Sequence, residues 1–111
     1  MSLKIVLTPE FLKLVKRLAK SYRKIYLDLE ALKEELLQNP KAGIELGHNC
    51  YKIRVANSSI PTGKSSGFRV ITYYIDQEGV IRLIFIFSKR DQENISDKEL
   101  KEIIKRNMVE Q

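Results

Sequence analysis

The stretch Phe68–Ser88, FRVITYYIDQEGVIRLIFIFS, decides the fold. It contains two runs rich in β-branched and aromatic residues, Phe68–Ile75 and Val80–Ser88, which are typical of strands. The residues that join them, Asp76–Gly79, have the composition of a hairpin turn, with glycine where a positive φ is needed. The sequence therefore predicts an antiparallel hairpin of two long strands.

Two further segments have strand character. Cys50–Ala56 is a third apolar and β-branched run, and Leu3–Leu7 is a short one near the beginning of the chain. The segment Lys41–Asn49, which contains Gly43 and Gly47, is interpreted as a loop. Asn57–Ser66 is polar and longer than a tight hairpin needs, so it is a candidate functional flap.

Helices are predicted on both sides of the strand-rich region. Thr8 is a predicted helix N-cap, and Pro9 and the acidic Glu10 are both favoured in the first turn of a helix. A stripe of apolar residues at helical spacing follows, as far as Tyr22. A second stripe, Ile25–Leu37, ends before Pro40. The two stripes favour a helical hairpin, although one bent helix also fits them. Ser96, with Glu99 three residues later, predicts a capping box that begins a final amphipathic helix.

The predicted order is strand, helix, helix, three strands, helix. This order indicates an α+β fold, with a small antiparallel sheet covered on one face by the helical hairpin and the C-terminal helix. The length of 111 residues suits one domain over residues 1–111 with one modest core. No composition shift within the chain suggests a second domain.

Composition places the chain among globular proteins. Hydrophobic residues make up 43% of the sequence and charged residues 31%, an ordinary balance for a globular protein. Charged residues interrupt the apolar runs too often for a membrane span. The basic N-terminal segment lacks the unbroken apolar core of a signal peptide, so a cytoplasmic location is expected. The single cysteine, Cys50, cannot form an internal disulfide, which fits a reducing compartment.

The net charge of +6 is concentrated in two stretches. Residues 1–24 hold seven bases and one acid, and residues 50–90 hold seven bases and two acids. A positive field of this kind attracts polyanions and makes their binding depend on salt. Because one of the two basic stretches lies in predicted strands, nucleic acid is favoured over simple solubility as its explanation.

Several kinds of site are excluded or disfavoured by residue spacing. Gly63-Lys64-Ser65 is no phosphate-binding P-loop, since position 58 is serine where that motif needs glycine, but Lys64 can still contact a nucleic-acid backbone. His48 stands alone and is expected at the surface, while Cys50 is expected to be a buried small hydrophobe. Carboxylates do not concentrate in the strands, so no metal and no cofactor are predicted.

The informative constellation is cationic. The two-residue period of a strand places Lys52 and Arg54 on one face, and Arg69 alternates with apolar neighbours in the next strand. Lys89 and Arg90 follow the last strand. Antiparallel pairing lets these five cations converge, and they repel one another unless an anion is bound. Such a patch suits metal-free RNA cleavage, in which a lysine of lowered proton affinity deprotonates the 2′-OH and arginines bind the phosphate.

The sequence resembles the RelE superfamily of type II toxins in the order and spacing of three segments, Cys50–Val55, Ser66–Ile71 and Phe87–Arg90. The longer loop with Gly63–Gly67 is similar to that of the HigB-like branch. The resemblance implies ribosome-dependent cleavage of mRNA, which inhibits translation, and neutralisation by a cognate antitoxin protein. Its partners would thus be the ribosome, mRNA and the antitoxin. The catalytic residues it implies are Lys52, Arg54, Arg69, Lys89 and Arg90.

Further candidates for RNA contact are Lys64, Arg82 and Ser96. Well-known members of the superfamily have a tyrosine that stacks on the substrate base, and this chain has Ser96 at the corresponding place. Two rival functions are a ParE-like gyrase inhibitor and a non-catalytic nucleic-acid-binding or regulatory module. Lys52, Arg54 and Arg69 together favour the ribonuclease. Codon preference, the identity of the antitoxin and the oligomeric state do not follow from the sequence.

Overall fold

The computed structural model describes residues 2–61 and 66–109 of the chain. In this part the predicted α+β class is confirmed, with three helices and one five-stranded sheet. In chain order the elements are β1 (Lys4–Leu7), α1 (Pro9–Ala19), α2 (Ile25–Gln38), β2 (Ile44–Gly47), β3 (Cys50–Val55), β4 (Phe68–Ile75), β5 (Val80–Ser88) and α3 (Asp97–Val109).

The predicted antiparallel strands are joined at one edge by a parallel strand, so the sheet as a whole is mixed. Its strand order is β1-β5-β4-β3-β2. The strands from β2 to β5 pair antiparallel, whereas β1 runs parallel to β5 at the other edge. The α1–α2 hairpin carries the chain from one edge of the sheet to the other between β1 and β2. β1, the short strand before that crossover, runs in the same direction as β5.

The segment predicted as a loop, Lys41–Asn49, contains the edge strand β2. Its four residues are exposed or half-buried, so no alternation of apolar and polar residues marked them as a strand. Backbone pairing holds them instead, with Ile44 opposite Lys52 and Glu45 opposite Tyr51. The prediction was wrong here because an exposed edge strand needs no apolar face.

The helical hairpin is confirmed, and α1 begins as the sequence predicts. Thr8 is its N-cap, and the side-chain oxygen accepts a hydrogen bond from the backbone N–H of Phe11. The same hydroxyl donates to the carbonyl oxygen of Leu83 in β5, at 3.1 Å, which fixes the helix start against the sheet. Buried side chains of both helices, including Phe11 and Leu32, pack with Ile53 and other residues of one sheet face.

The opposite face of the sheet is covered only in part, by α3. Leu100 and Ile103 of this helix pack with Cys50, Ile71 and Ile84 in a second apolar cluster. The helices therefore lie on both faces, which corrects the prediction of one covered face. A bulge in β5, where the pairing with β4 skips Ile84, adds to this second cluster, since residues 84 and 85 both pack in it.

No helix within residues 2–61 and 66–109 is both long and apolar enough to cross a membrane. The turn Asp76–Gly79 joins β4 and β5 as predicted, and Gly79 has a φ of 65°. The part of the sheet face that α3 leaves uncovered lies at the end of β3 and the beginning of β4. This is the region in which the sequence predicted converging cations.

Candidate functional site

Strand register brings four of the predicted cations together. Arg54 lies opposite Arg69 in the β3–β4 pair, and Lys52 precedes Arg54 by two residues on the same face. The backbone N–H of Lys89 donates to the carbonyl oxygen of Gly67, at 2.9 Å, which continues the β4–β5 pairing beyond Ser88. Lys89 is thereby held beside the beginning of β4.

These cations line a cleft of about 400 Å³, together with residues from α2 and from the segment before β3. We call it the cationic cleft. Its lining residues are Glu35, Gly43, Ile44, Lys52, Ile53, Arg54, Arg69 and Lys89. The cleft is large enough for a phosphate group and part of an attached nucleotide.

Burial and like charge act together on the bases of the cleft. The pKa of Lys52 is lowered from its ordinary value, first by burial and then by the positive charges of Arg69, Lys89 and Arg54. Burial, followed by the charge of Arg54, also lowers the pKa of Arg69. A guanidinium stays charged at neutral pH, so Arg69 remains a cation, whereas the amine of Lys52 loses its proton more readily than a free lysine does.

The two arginines differ in exposure. Arg69 is 5% exposed, and its Nη1 donates to the carbonyl oxygen of Phe68 at 3.3 Å. Arg54 is exposed, at the rim of the cleft. The buried guanidinium is thus held against the sheet, while the exposed one faces solvent.

Both lysines of the cleft are held by the segment between β5 and α3. The ammonium of Lys52 donates to Oδ1 of Asn94 at 2.9 Å, and the ammonium of Lys89 donates to the carbonyl oxygen of Glu93 at 2.7 Å. These acceptors are neutral, so they fix the amines without cancelling the positive charge of the cleft.

The other predicted site residues lie elsewhere or outside the described part. Arg90 is exposed and does not line the cleft, and its backbone N–H donates to Oγ of Ser88. Arg82 pairs with Tyr73, near the far end of β4, and forms an ion pair with Glu78 at 3.1 Å. The sequence marked Arg82 only as one of the bases in residues 50–90 and as a candidate for RNA contact, and the structure places it away from the cleft. Lys64 lies outside the described residues, as does the rest of Gly63-Lys64-Ser65.

Ser96 has a structural role at the start of α3. Its side-chain oxygen accepts a hydrogen bond from the backbone N–H of Glu99 at 3.1 Å, as the predicted capping box requires. The hydroxyl that was a candidate for RNA contact is therefore engaged in capping a helix.

Cys50 and His48 lie where the sequence predicted. Cys50 is fully buried, and burial raises the pKa of its thiol to about 12, so it packs as a small hydrophobe. His48 is exposed in the turn between β2 and β3, and its Nε2 lies 3.3 Å from Oδ1 of Asp97. Among the described residues, no group of three or more His, Cys, Asp or Glu side chains is arranged to hold a metal ion.

Sequence reasoning missed the residues that frame the cleft from outside the strands. Asn94 and Glu35 come from a loop and a helix, and only the folded chain places them beside Lys52. Asp28 of α2 lies outside the cleft lining but also makes a contact that the sequence does not indicate. Its carboxylate accepts hydrogen bonds from the backbone N–H and the hydroxyl of Ser58, at 3.1 Å and 2.5 Å for the shortest pairs, and so anchors the segment that follows β3.

Comparison with known proteins identifies a family and a solved structure that resemble the chain. Residues 10–109 match the family described as the RelE toxin of the RelE/RelB toxin–antitoxin system. The solved structure of an arginine double mutant of E. coli toxin RelE in the free state is similar over 96% of this chain and 98% of that chain, with a TM-score of 0.60 and 22% identity. This likeness shows a shared fold. No curated protein matches the chain significantly.

Proposed function

Because the chain belongs to the family of RelE toxins from RelE/RelB toxin–antitoxin systems, we propose that it is a ribosome-dependent endoribonuclease that cuts mRNA and inhibits translation. The observation that carries this proposal is the cationic cleft, in which Lys52, Arg54, Arg69 and Lys89 line a space large enough for a phosphate group and part of an attached nucleotide. Like charges held this close favour an anionic ligand, and RNA supplies one beside its own nucleophile, the 2′-OH.

The proposed reaction needs a base, a cationic phosphate site and an acid. The neutral amine of Lys52 takes the proton of the 2′-OH, and the 2′-oxygen attacks the adjacent phosphorus. Arg54 and Arg69 stabilise the charge that develops on the non-bridging oxygens. The bond from phosphorus to the 5′-oxygen breaks, and the ammonium of Lys89 protonates that oxygen. The products are a 2′,3′-cyclic phosphate and a 5′-hydroxyl end, with no metal in any step.

Finer features of the proposal rest on the sequence resemblance. The glycine-containing sequence Gly63–Gly67 is the feature that supports the HigB-like branch. A cognate antitoxin is expected to neutralise the toxin by covering the cationic cleft or displacing α3, and both proteins would act in the cytoplasm. Arg90, which lies just beyond Lys89 and outside the cleft, is proposed to contact the RNA backbone, and so is Lys64.

The proposal is tested by inducing the protein in bacteria and by mapping mRNA ends in a translation reaction with and without ribosomes. We expect growth arrest and new 5′ ends that require ribosomes. Lys52→Ala is expected to abolish both, whereas Lys13→Ala, an exposed change on α1 outside the cleft, is expected to abolish neither. Loss of DNA supercoiling without mRNA cuts would support a gyrase inhibitor, and unimpaired growth would support a non-catalytic binding module.

A further inference from the structure

The loop between β5 and α3 makes a contact with the cleft that no sequence motif marks. Oδ1 of Asn94 accepts two hydrogen bonds at 2.9 Å, one from the ammonium of Lys52 and one from the backbone N–H of Ile95. The second bond fixes the orientation of the amide, because it ties the side chain to the backbone of its own segment. The acceptor is therefore already aimed before any ligand arrives.

The loop is itself braced by its neighbours. Nε2 of Gln92 donates to the carbonyl oxygen of Asn94 at 2.9 Å, and it lies 3.4 Å from Oε1 of Glu99 in the first turn of α3. Beside it, the carbonyl oxygen of Glu93 accepts the ammonium of Lys89. A continuous set of hydrogen bonds thus runs from α3 through Asn94 to Lys52.

We propose that Asn94 is a positioning residue for Lys52: its neutral oxygen holds the amine in place within the cationic cleft and leaves it able to give up its proton. The inference rests on the proposed ribonuclease function for its kinetic consequences. It also makes a claim about the amine of Lys52 that can be measured in the free protein.

The electrostatic surroundings explain why the acceptor is an amide. Lys52 is faced by Arg54 on its own strand, Arg69 on β4 and Lys89 after β5, and Glu35 of α2 lines the same cleft. Burial and the three cations lower the pKa of Lys52. A carboxylate at position 94 would favour the ammonium and oppose this effect, whereas an amide supplies the hydrogen bond without the charge.

The first experiment titrates the side-chain amine of Lys52 by NMR in the purified protein, with Lys52→Arg used to assign the signal. Asn94→Asp is expected to raise the pKa of Lys52, because it places a negative charge at hydrogen-bond distance. Asn94→Ala is expected to lower it further, because the ammonium loses an acceptor. The matched control is Gln77→Glu, the same amide-to-carboxylate change in the β4–β5 turn, which is expected to leave the pKa unchanged.

The second experiment measures single-turnover mRNA cleavage on ribosomes as a function of pH. Loss of a hydrogen bond to a charged group predicts that Asn94→Ala lowers the maximal rate roughly ten- to a hundredfold, with little change in KM. The rising limb of the pH profile should move to lower pH in Asn94→Ala and to higher pH in Asn94→Asp. In a Lys52→Ala background, Asn94→Ala should cause no further loss.

The outcomes separate the positioning role from the proposed function. If Asn94→Asp and Gln77→Glu leave the titration of Lys52 equally unchanged, the positioning role is refuted whatever the enzyme does. If Lys52→Ala abolishes cleavage but both Asn94 variants keep the wild-type rate and pH profile, the inference fails and the ribonuclease stands. If Lys52→Ala cleaves normally, the ribonuclease mechanism fails, and the NMR titration alone then decides whether Asn94 holds the amine.

Discussion

Arg54 and Arg69 face each other across the β3–β4 pair, on the part of the sheet that α3 leaves uncovered. Directly opposed side chains of an antiparallel pair have Cβ atoms about 5 Å apart, and like charges at such positions are destabilising. The influence of Arg54 on the pKa of Arg69 is one sign of this repulsion. The sheet therefore carries two opposed positive charges, and an anion between the guanidinium groups would reduce the repulsion between them.

This pair predicts a trade-off between stability and anion binding. Arg54→Gln is expected to increase the free energy of unfolding by roughly 0.5 kcal/mol, because it removes one of two opposed like charges. Urea denaturation at low and high salt measures this change, which should shrink as salt screens the repulsion. Arg90→Gln, an exposed change outside the cleft, is the matched control. A loss of stability in Arg54→Gln would contradict the expectation.

A bound anion is expected to stabilise the wild type more than Arg54→Gln. Inorganic phosphate that binds in the cleft of the native state stabilises that state, and at a given concentration it does so more when it binds more tightly. We therefore expect added phosphate to raise the unfolding midpoint of the wild type more than that of Arg54→Gln, at matched ionic strength with chloride as the comparison. Equal shifts in both proteins would mean that phosphate does not bind between these side chains.

The lowered pKa of Lys52 predicts the pH dependence of cleavage. The proposed base must be neutral, so the rate should rise with pH and level off once pH passes this lowered pKa, below the ordinary value of a lysine. Arg54 contributes to the lowering, so Arg54→Gln is expected to move the rising limb to higher pH. Single-turnover cleavage rates in buffers of different pH measure the position of this limb. A limb that Arg54→Gln leaves in place would argue against Lys52 as the base.

The elements that sequence predicted correctly are those with strong local signals. The β4–β5 hairpin combined long apolar runs with the turn Asp76–Gly79, and α1 and α3 each carried a capping residue that the structure confirms, Thr8 and Ser96. Strand β2 lacked such a signal, since its pairing depends on backbone hydrogen bonds to β3. Likewise, the parallel pairing of β1 depends on the path of the helical hairpin, which local pattern does not encode.

The same distinction applies to the cleft. Strand period placed Lys52 and Arg54 on one face of β3, and the register of β3 with β4 places Arg69 beside them. Arg82 shares that face but lies near the beginning of β5, away from the cleft. A two-residue period specifies a face of a strand and not a position along it. Asn94 was missed, since a hydrogen bond from a loop to a strand depends on how α3 docks against the sheet.

Two glycines before β3 offer a test of how backbone packing supports Lys52. Gly43 and Gly47 both have positive φ, 99° and 85°, but a Cβ at Gly43 would overlap the carbonyl oxygen of Lys52, whereas one at Gly47 meets open space. Gly47→Ala is therefore expected to cost about 1–2 kcal/mol of stability, from backbone strain alone. Gly43→Ala should cost more and should also lower cleavage per folded molecule. If Gly43→Ala and Gly47→Ala lost equal amounts of stability and of cleavage activity, the close approach of Gly43 to the backbone of Lys52 would be unimportant.

Ser96 tests whether a residue predicted to contact RNA acts instead through α3. Its hydroxyl accepts the backbone N–H of Glu99, so Ser96→Ala is expected to lower the free energy of unfolding by about 1 kcal/mol. Ser96→Asp retains an acceptor at the cap and should restore most of that loss. Because the hydroxyl is engaged in the cap, the KM for ribosome-bound mRNA should be the same in all three proteins when the folded fraction is taken into account. A raised KM in Ser96→Ala with unchanged urea denaturation would instead identify the hydroxyl as an RNA contact.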